Sequence, residues 1–258
     1  MKIDSQLNKR EAEGLEEVST ELLPDAITAA RSANIVIDIS HHNGKVDLVA
    51  AKGAGISGII HKATQGWRYR DPLYFAHHDL ALSAGLLWGA YHFGVGADGV
   101  AQADFFLSLV KPDPATLLVL DFEANTAGPS MDVLEARAFV THVQHETGRW
   151  PGLYAGQYLK ELLRSTPDDV LSKCWLWLAQ YGRTAVLPPG WNTWTMWQYT
   201  DGAVGPEPHE VAGIGHCDRD LFHGAEADLA PFWKDNAAPI PAQSQAVASD
   251  NAGAQGPD

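Results

Sequence analysis

The feature that most constrains this chain is a regular beat between residues 34 and 164, in which short β-branched or aromatic runs alternate with amphipathic stretches. A βα repeat architecture requires this pattern, because each half-buried strand hands its chain to a helix that covers the same sheet. The strand candidates are 35–40, 58–64, 87–93, 116–123 and 152–155, and helical spacing follows each of them at 46–52, 71–84, 100–110, 131–147 and 158–164. From residue 173 the beat changes. Runs 173–181, 195–200 and 217–222 read as strands joined by Pro- and Gly-rich loops, with no room for full helices between them. The expected fold is therefore α/β: a modified TIM-like barrel with five βα units followed by three strands lacking regular helices. A chain of 258 residues, 45% of them hydrophobic, can fill one such barrel as a single domain.

The barrel is expected over residues 34–234. Residues 1–33 read as an acidic N-terminal extension, with Leu15, Val18 and Leu22 at helical spacing and Glu11, Glu13, Glu16, Glu17 and Glu21 around them. Residues 235–258 are poor in large apolar side chains and rich in Ala, Pro, Gln and Gly, the composition of a disordered tail. The charge balance excludes one class of partner: 18 Lys and Arg against 32 Asp and Glu give a net charge of -14, which repels a phosphate backbone, so no nucleic acid is expected. No apolar run is long enough to span a bilayer, and the N-terminus lacks the apolar core of a classical signal peptide. Cys174 and Cys217 show no C-x-x-C spacing and are equally compatible with a bridge or two free thiols. A monomer is expected.

In an α/β barrel the working residues gather at the C-terminal ends of the strands. Here those ends carry Asp38-Ile39-Ser40, His61-Lys62-Ala63-Thr64, Tyr91-His92-Phe93, Asp121-Phe122-Glu123, Tyr154 and Trp197-Gln198-Tyr199, and the last strand opens with Asp218-Arg219-Asp220. The sharpest of these is Asp121-x-Glu123. Carboxylates at i and i+2 project from the same strand face, and crowding raises the proton affinity of one of them, as a general acid requires. A structural ion network in the barrel would collect the same residues. Asp38 and Asp218 strengthen the catalytic reading, because strands one and eight become neighbours when the barrel closes. Tyr91, Tyr154, Trp197 and Tyr199 are candidates for stacking on sugar rings, with His92, Lys62 and Gln198 as polar contacts. Trp175, Trp177 and Trp194 are expected in the core or wall. His61, His92 and Asp38 could in principle bind a metal, but no ligand spacing such as H-E-x-x-H is present, so no metal and no cofactor are expected.

These blocks together resemble glycoside hydrolase family 25, the Chalaropsis-type lysozymes: Asp38-x-Ser40 with Asn43-Gly44, Lys62-Ala63-Thr64, Gly89-Ala90-Tyr91-His92-Phe93, Asp121-x-Glu123, Trp197-Gln198-Tyr199, and Asp218 before Leu221-Phe222. The resemblance covers about residues 34–233. It implies a peptidoglycan hydrolase that cuts the β-1,4 bond between N-acetylmuramic acid and N-acetylglucosamine. Glu123 would be the acid/base, Asp121 its partner, and Asp38 and Asp218 the outer aspartates, with the substrate's own N-acetyl group taking part. Two positions depart from the family pattern: Gln65 stands where many members carry Glu, and Asp220 where Asn is usual. The partner would be the glycan strand of the bacterial wall. Without a classical signal, cytoplasmic accumulation followed by non-classical release, as a phage lysin or a secreted effector, is the expected localisation. Two other readings stay open at this stage: a metal-dependent deacetylase or amidase built on Asp38, His61 and His92, and a non-catalytic wall-binding module.

Overall fold

The computed structural model describes residues 32–237, so the extension and the tail lie outside the described residues except at their inner edges. In chain order the elements are β1 (Ser32–Ile39), α1 (Leu48–Gly53), β2 (Gly58–Gln65), β3 (Tyr69–Arg70), α2 (Tyr74–Ser83), β4 (Leu87–Phe93), α3 (Gly99–Val110), β5 (Thr116–Phe122), α4 (Val133–Thr147), β6 (Gly152–Ala155) and α5 (Gln157–Leu163). There follow β7 (Trp175–Ala179), β8 (Met196–Thr200), β9 (Glu210–Val211), β10 (Gly215–His216), β11 (Asp218–His223) and α6 (Glu226–Asn236). Helix starts are written in the sequence. Asp98 accepts from the N–H groups of Val100 and Ala101 at the head of α3, and Asp132 forms a reciprocal capping box with Glu135 at the head of α4.

Strands β1, β2, β4, β5, β6, β7, β8 and β11 close into an eight-stranded barrel, sealed where β1 pairs with both β2 and β11. The five βα units and the three late strands are those the sequence pattern leads one to expect. All pairings from β1 round to β8 are parallel, but β11 runs antiparallel to both its neighbours. The connection from β8 turns back at the mouth through the short β9–β10 hairpin, and an antiparallel return needs no crossover helix. The last strand therefore brings its beginning, not its end, to the mouth, where Asp218 stands in register with Asp38.

Strand alternation sorts the core into layers. Val36, Ile60, Leu117, Val119, Trp177, Met196 and Phe222 fill the barrel interior. Ile37, Ile39, Ile59, Leu118, Leu120 and Leu153 face outward and pack with helix residues such as Phe106, Phe139, Val140 and Val143. Outside β7 and β8, where no helix lies, Leu176, Leu178, Trp194, Trp197 and Tyr199 form their own cluster.

The bottom of the barrel is closed by α6, a helix that the sequence pattern does not announce and that runs past residue 234. Its Leu229 and Trp233 are buried, and the Trp233 indole N–H donates to the carbonyl of Trp88 at 2.8 Å. The Trp233 ring lies so close to β2 that a Cβ at Gly58 would stand 2.9 Å from it, so the strand must begin with glycine there. Replacing Trp233 by Ala is expected to destabilise the domain by about 3–5 kcal/mol, the range for a buried aromatic truncation, measured by denaturant unfolding. A loss of under about 1 kcal/mol would show that the bottom is not sealed by this side chain.

Candidate active site

Strand parity delivers five carboxyls to one end of the barrel interior: Asp38 from β1, Asp121 and Glu123 from β5 and the residue after it, and Asp218 and Asp220 from β11. A pocket of about 490 Å³ opens there, lined by Asp38, Asp121, Glu123, Asp218, Tyr91, Tyr154, Trp177, Tyr181 and Gln198. Beyond Glu123 the cleft continues over Tyr154, Tyr158, Gln180 and Tyr181, so this carboxyl stands between two halves of one groove.

The groups are held by a directed network. The Tyr154 hydroxyl donates to Gln198 Oε1 at 2.7 Å, and Gln198 Nε2 donates to Asp38 Oδ2 at 2.7 Å. The Trp177 indole N–H donates to Asp220 Oδ1 at 2.7 Å. Asp121 Oδ1 is buried and accepts no hydrogen bond. The only nearby cation among the described residues that moderates the Asp121–Glu123 pair is Lys62. Its Nζ donates to Gln65 Oε1 at 2.8 Å and lies 4.9 Å from the centre of the Phe93 ring.

Burial is the main cause of the unusual acidities. It pushes Asp121 well above the ordinary Asp value, Glu123 adds to the effect, and Lys62 opposes it. Glu123 is likewise raised by burial and opposed by Lys62. The two carboxyls titrate as a pair, so one proton is retained between them above the ordinary carboxylate range. Asp218 is pushed up to about 6, first by burial and then by Asp201. Asp38 is raised by burial, Asp218 and Asp220. Lys62 itself is lowered by burial, against the pull of Asp121, Asp71 and Glu123.

Of the residues expected at the site, Glu123, Asp121, Asp38, Asp218, Tyr91, Tyr154 and Gln198 line the pocket, and Lys62 faces its carboxyls. Three others are not brought there. Trp197 and Tyr199 flank Gln198 with the opposite strand parity and point outward, their polar tips donating to the carbonyls of Gln180 and Pro208. His92, next to Tyr91, stacks outside the barrel on Phe139 at 4.9 Å and is held between Thr64 Oγ1 and Gln102 Oε1. His61 is also outside, hydrogen-bonded to the Lys62 carbonyl and to His77. The set of Asp38, His61 and His92 is thus split across the barrel wall. Two pocket residues were not expected. Trp177 shares the parity of Ala179 two residues on, which could have revealed it, whereas Tyr181 comes from the loop after β7. Cys174 and Cys217 are free and buried.

With this geometry in view, the comparisons with known proteins are specific. Residues 37–207 match the family described as Glycosyl hydrolases family 25. Lysozyme M1 of Streptomyces globisporus is 33% identical over 208 residues, covering 75% of this chain and 69% of that protein. An N,O-diacetylmuramidase of Chalaropsis sp is 30% identical over 182 residues, 64% of this chain and 86% of its own. Among solved structures, the bacterial lysozyme from Streptomyces coelicolor superposes with a TM-score of 0.69 at 31% identity, over 79% of this chain and 99% of that one. An eight-stranded barrel with carboxyls massed at its mouth is the frame of a glycoside hydrolase. This chain belongs to glycosyl hydrolase family 25.

The placement of His92 yields a direct check. Burial lowers it to about 3, so it stays neutral in the fold while the unfolded chain protonates near 6.5. A lowered folded value means stability is fully present above about 6.5 and is lost as the pH falls towards about 3. In an NMR titration the His92 ring shifts should stay flat from about pH 8 to about pH 5. A midpoint near 6.5 would place the ring in solvent or in the pocket instead.

Proposed function

We propose that this chain is a peptidoglycan hydrolase of the lysozyme type, acting on the bacterial cell wall at the β-1,4 bond between N-acetylmuramic acid and N-acetylglucosamine. One observation carries the assignment of roles: Asp121 and Glu123 leave the same strand face into the pocket, and Glu123, the more open of the two, is the one a glycosidic oxygen can reach. Glu123 gives its proton to the glycosidic oxygen as the bond to C1 breaks. The acetamido carbonyl oxygen of the same sugar closes on C1 from the other face. The Asp121 carboxylate, which lines the pocket, accepts the acetamido N–H and offsets the positive charge that develops on the ring so formed. Water then attacks C1, loses a proton to Glu123 and reopens the ring, which returns the acid to its starting state.

The remaining pocket residues have supporting roles in this reading. Tyr154 and Trp177, packed edge to face at 4.8 Å, stiffen the pocket wall against which the sugar lies. The chain from Tyr154 through Gln198 to Asp38 fixes the opposite side. Lys62 keeps the Asp121–Glu123 pair from holding too many protons, and its partner Gln65 is neutral, so the lysine's charge stays directed at the carboxyls.

Glu123→Gln should lower turnover on purified peptidoglycan by about 10²–10⁴-fold with the fold intact, because the amide cannot donate a proton. Borohydride reduction and mass spectrometry would read new muramic acid reducing ends, with EDTA present throughout. Undiminished cleavage by Glu123→Gln would overturn the choice of acid, and release of acetate or peptide instead of new reducing ends would overturn the reaction. Because Glu123 is raised, the alkaline fall of kcat/KM should lie above the ordinary Glu value of about 4.3. Asp121→Asn, which removes the like charge beside Glu123, should move that fall to lower pH.

A further inference from the structure

Asp220 is not a pocket residue, yet it is the most deeply buried carboxyl of the group, with no exposed surface. It stands on the interior face of β11, opposite Val36 of β1 and Gln198 of β8. Its Oδ1 accepts the Trp177 indole N–H, whereas its buried Oδ2 has no donor. The Asp38 carboxyl lies within hydrogen-bonding reach of this side chain. If both groups are ionised, acceptor faces acceptor at the bottom of the pocket and Oδ2 is an orphan. One proton between them turns that clash into a hydrogen bond.

Depth decides which group holds the proton. Each carboxyl accepts one N–H, Asp38 from Gln198 and Asp220 from Trp177, but Asp38 opens to the pocket while Asp220 is sealed beneath it. The cation next in sequence does not reach inside: the Arg219 guanidinium turns outward to Asn34 Oδ1 and the Glu210 carbonyl. Of the other charged groups, Asp218 on its own strand raises Asp220 and the outward-turned Arg219 guanidinium lowers it; Cys217 and Tyr199 feel the Asp220 charge. Burial accordingly pushes Asp220 well above the ordinary Asp value.

We propose that Asp220 is a positioning residue, kept as a neutral carboxylic acid under the pocket, which donates its Oδ2 proton in a hydrogen bond to Asp38 and so holds the Asp38 carboxylate in place. Asn at this position supplies the same donor and the same acceptor for Trp177 without titrating. Asp220 thereby adds to this chain a pH-dependent step that an asparagine would not have. The role in turnover rests on the function proposed above; the protonation state does not.

The test compares wild type with Asp220→Asn and Asp220→Leu. In the infrared, wild type at neutral pH should show a protonated-carboxyl stretch that Asp220→Asn lacks; no difference would overturn the proposal whether or not the chain is a lysozyme. Thermal unfolding supplies a second readout. A carboxyl raised in the fold contributes stability below about 3.9, the ordinary Asp value, and loses it as the pH rises towards its folded value. Asp220→Asn should therefore gain Tm over wild type increasingly as the pH rises, and a constant offset would count against the idea. In peptidoglycan turnover, Asp220→Asn should keep kcat within about threefold at acid pH and extend the alkaline limb, while Asp220→Leu should lose about tenfold or more in kcat, the equivalent of one lost hydrogen bond of about 1.4 kcal/mol. A folded but inactive Asp220→Asn would show that a charge is needed there, and a fully active Asp220→Leu would show that Asp38 needs no support. Either result overturns the assignment.

Discussion

Five carboxyls can be crowded at one end of this barrel only because the space beneath them is filled with apolar side chains. In water, neighbouring carboxylates repel weakly and stay ionised; in a sealed interior the cost of an unpaired charge is several kcal/mol, and protons are retained instead. The seal is made of Val36, Ile60, Leu117, Val119, Met196 and Phe222 inside the barrel, with Trp233 closing it from below. Every acidity described above names burial as its largest cause, ahead of any neighbouring charge. The chemistry at the top thus depends on the hydrocarbon at the bottom.

The same argument explains why the site carries so few cations. Full neutralisation by Arg or Lys would return the carboxyls to ordinary acidity and remove the proton that the reaction needs. The structure turns Arg219 outward and, among the described residues, admits Lys62 alone, half-buried and tied to a neutral glutamine. One positive charge against the Asp121–Glu123 pair leaves room for one proton and one negative charge, the two states that an acid and its electrostatic partner must divide between them.

Much of this was legible in the sequence, and the failures have a common form. The beat of strands and helices gives the barrel because period and length are local properties. Asp121 and Glu123 were found because their spacing of two encodes a shared face. Position at a strand end was not enough for His92, Trp197 and Tyr199: each is adjacent to a true pocket residue, Tyr91 or Gln198, and one step along a strand changes sides of the wall. Trp177 lies deeper than the strand end yet has the right parity, so it reaches the pocket. Direction is less readable than parity. Nothing in residues 217–222 states that the strand runs backwards, and that reversal is what sets Asp218 beside Asp38 and Asp220 below it. Helix α6 was missed although Leu229, Phe232 and Trp233 have helical spacing, because its charged face and internal Pro231 mask a short apolar stripe.

The reversed last strand also settles where the polypeptide enters and leaves the domain. Strand β1 climbs from Ser32 towards Asp38 at the mouth, and β11 descends from Asp218 to His223, level with Ser32. The chain then crosses beneath the barrel in α6 and reaches Ala237, buried near Ile35 and Trp233. Entry and exit therefore share the face opposite the groove. For an enzyme acting on a polymer too large to diffuse, this is a mechanical advantage: whatever is joined to either end pulls on the base of the barrel and leaves the rim clear to settle on a glycan strand.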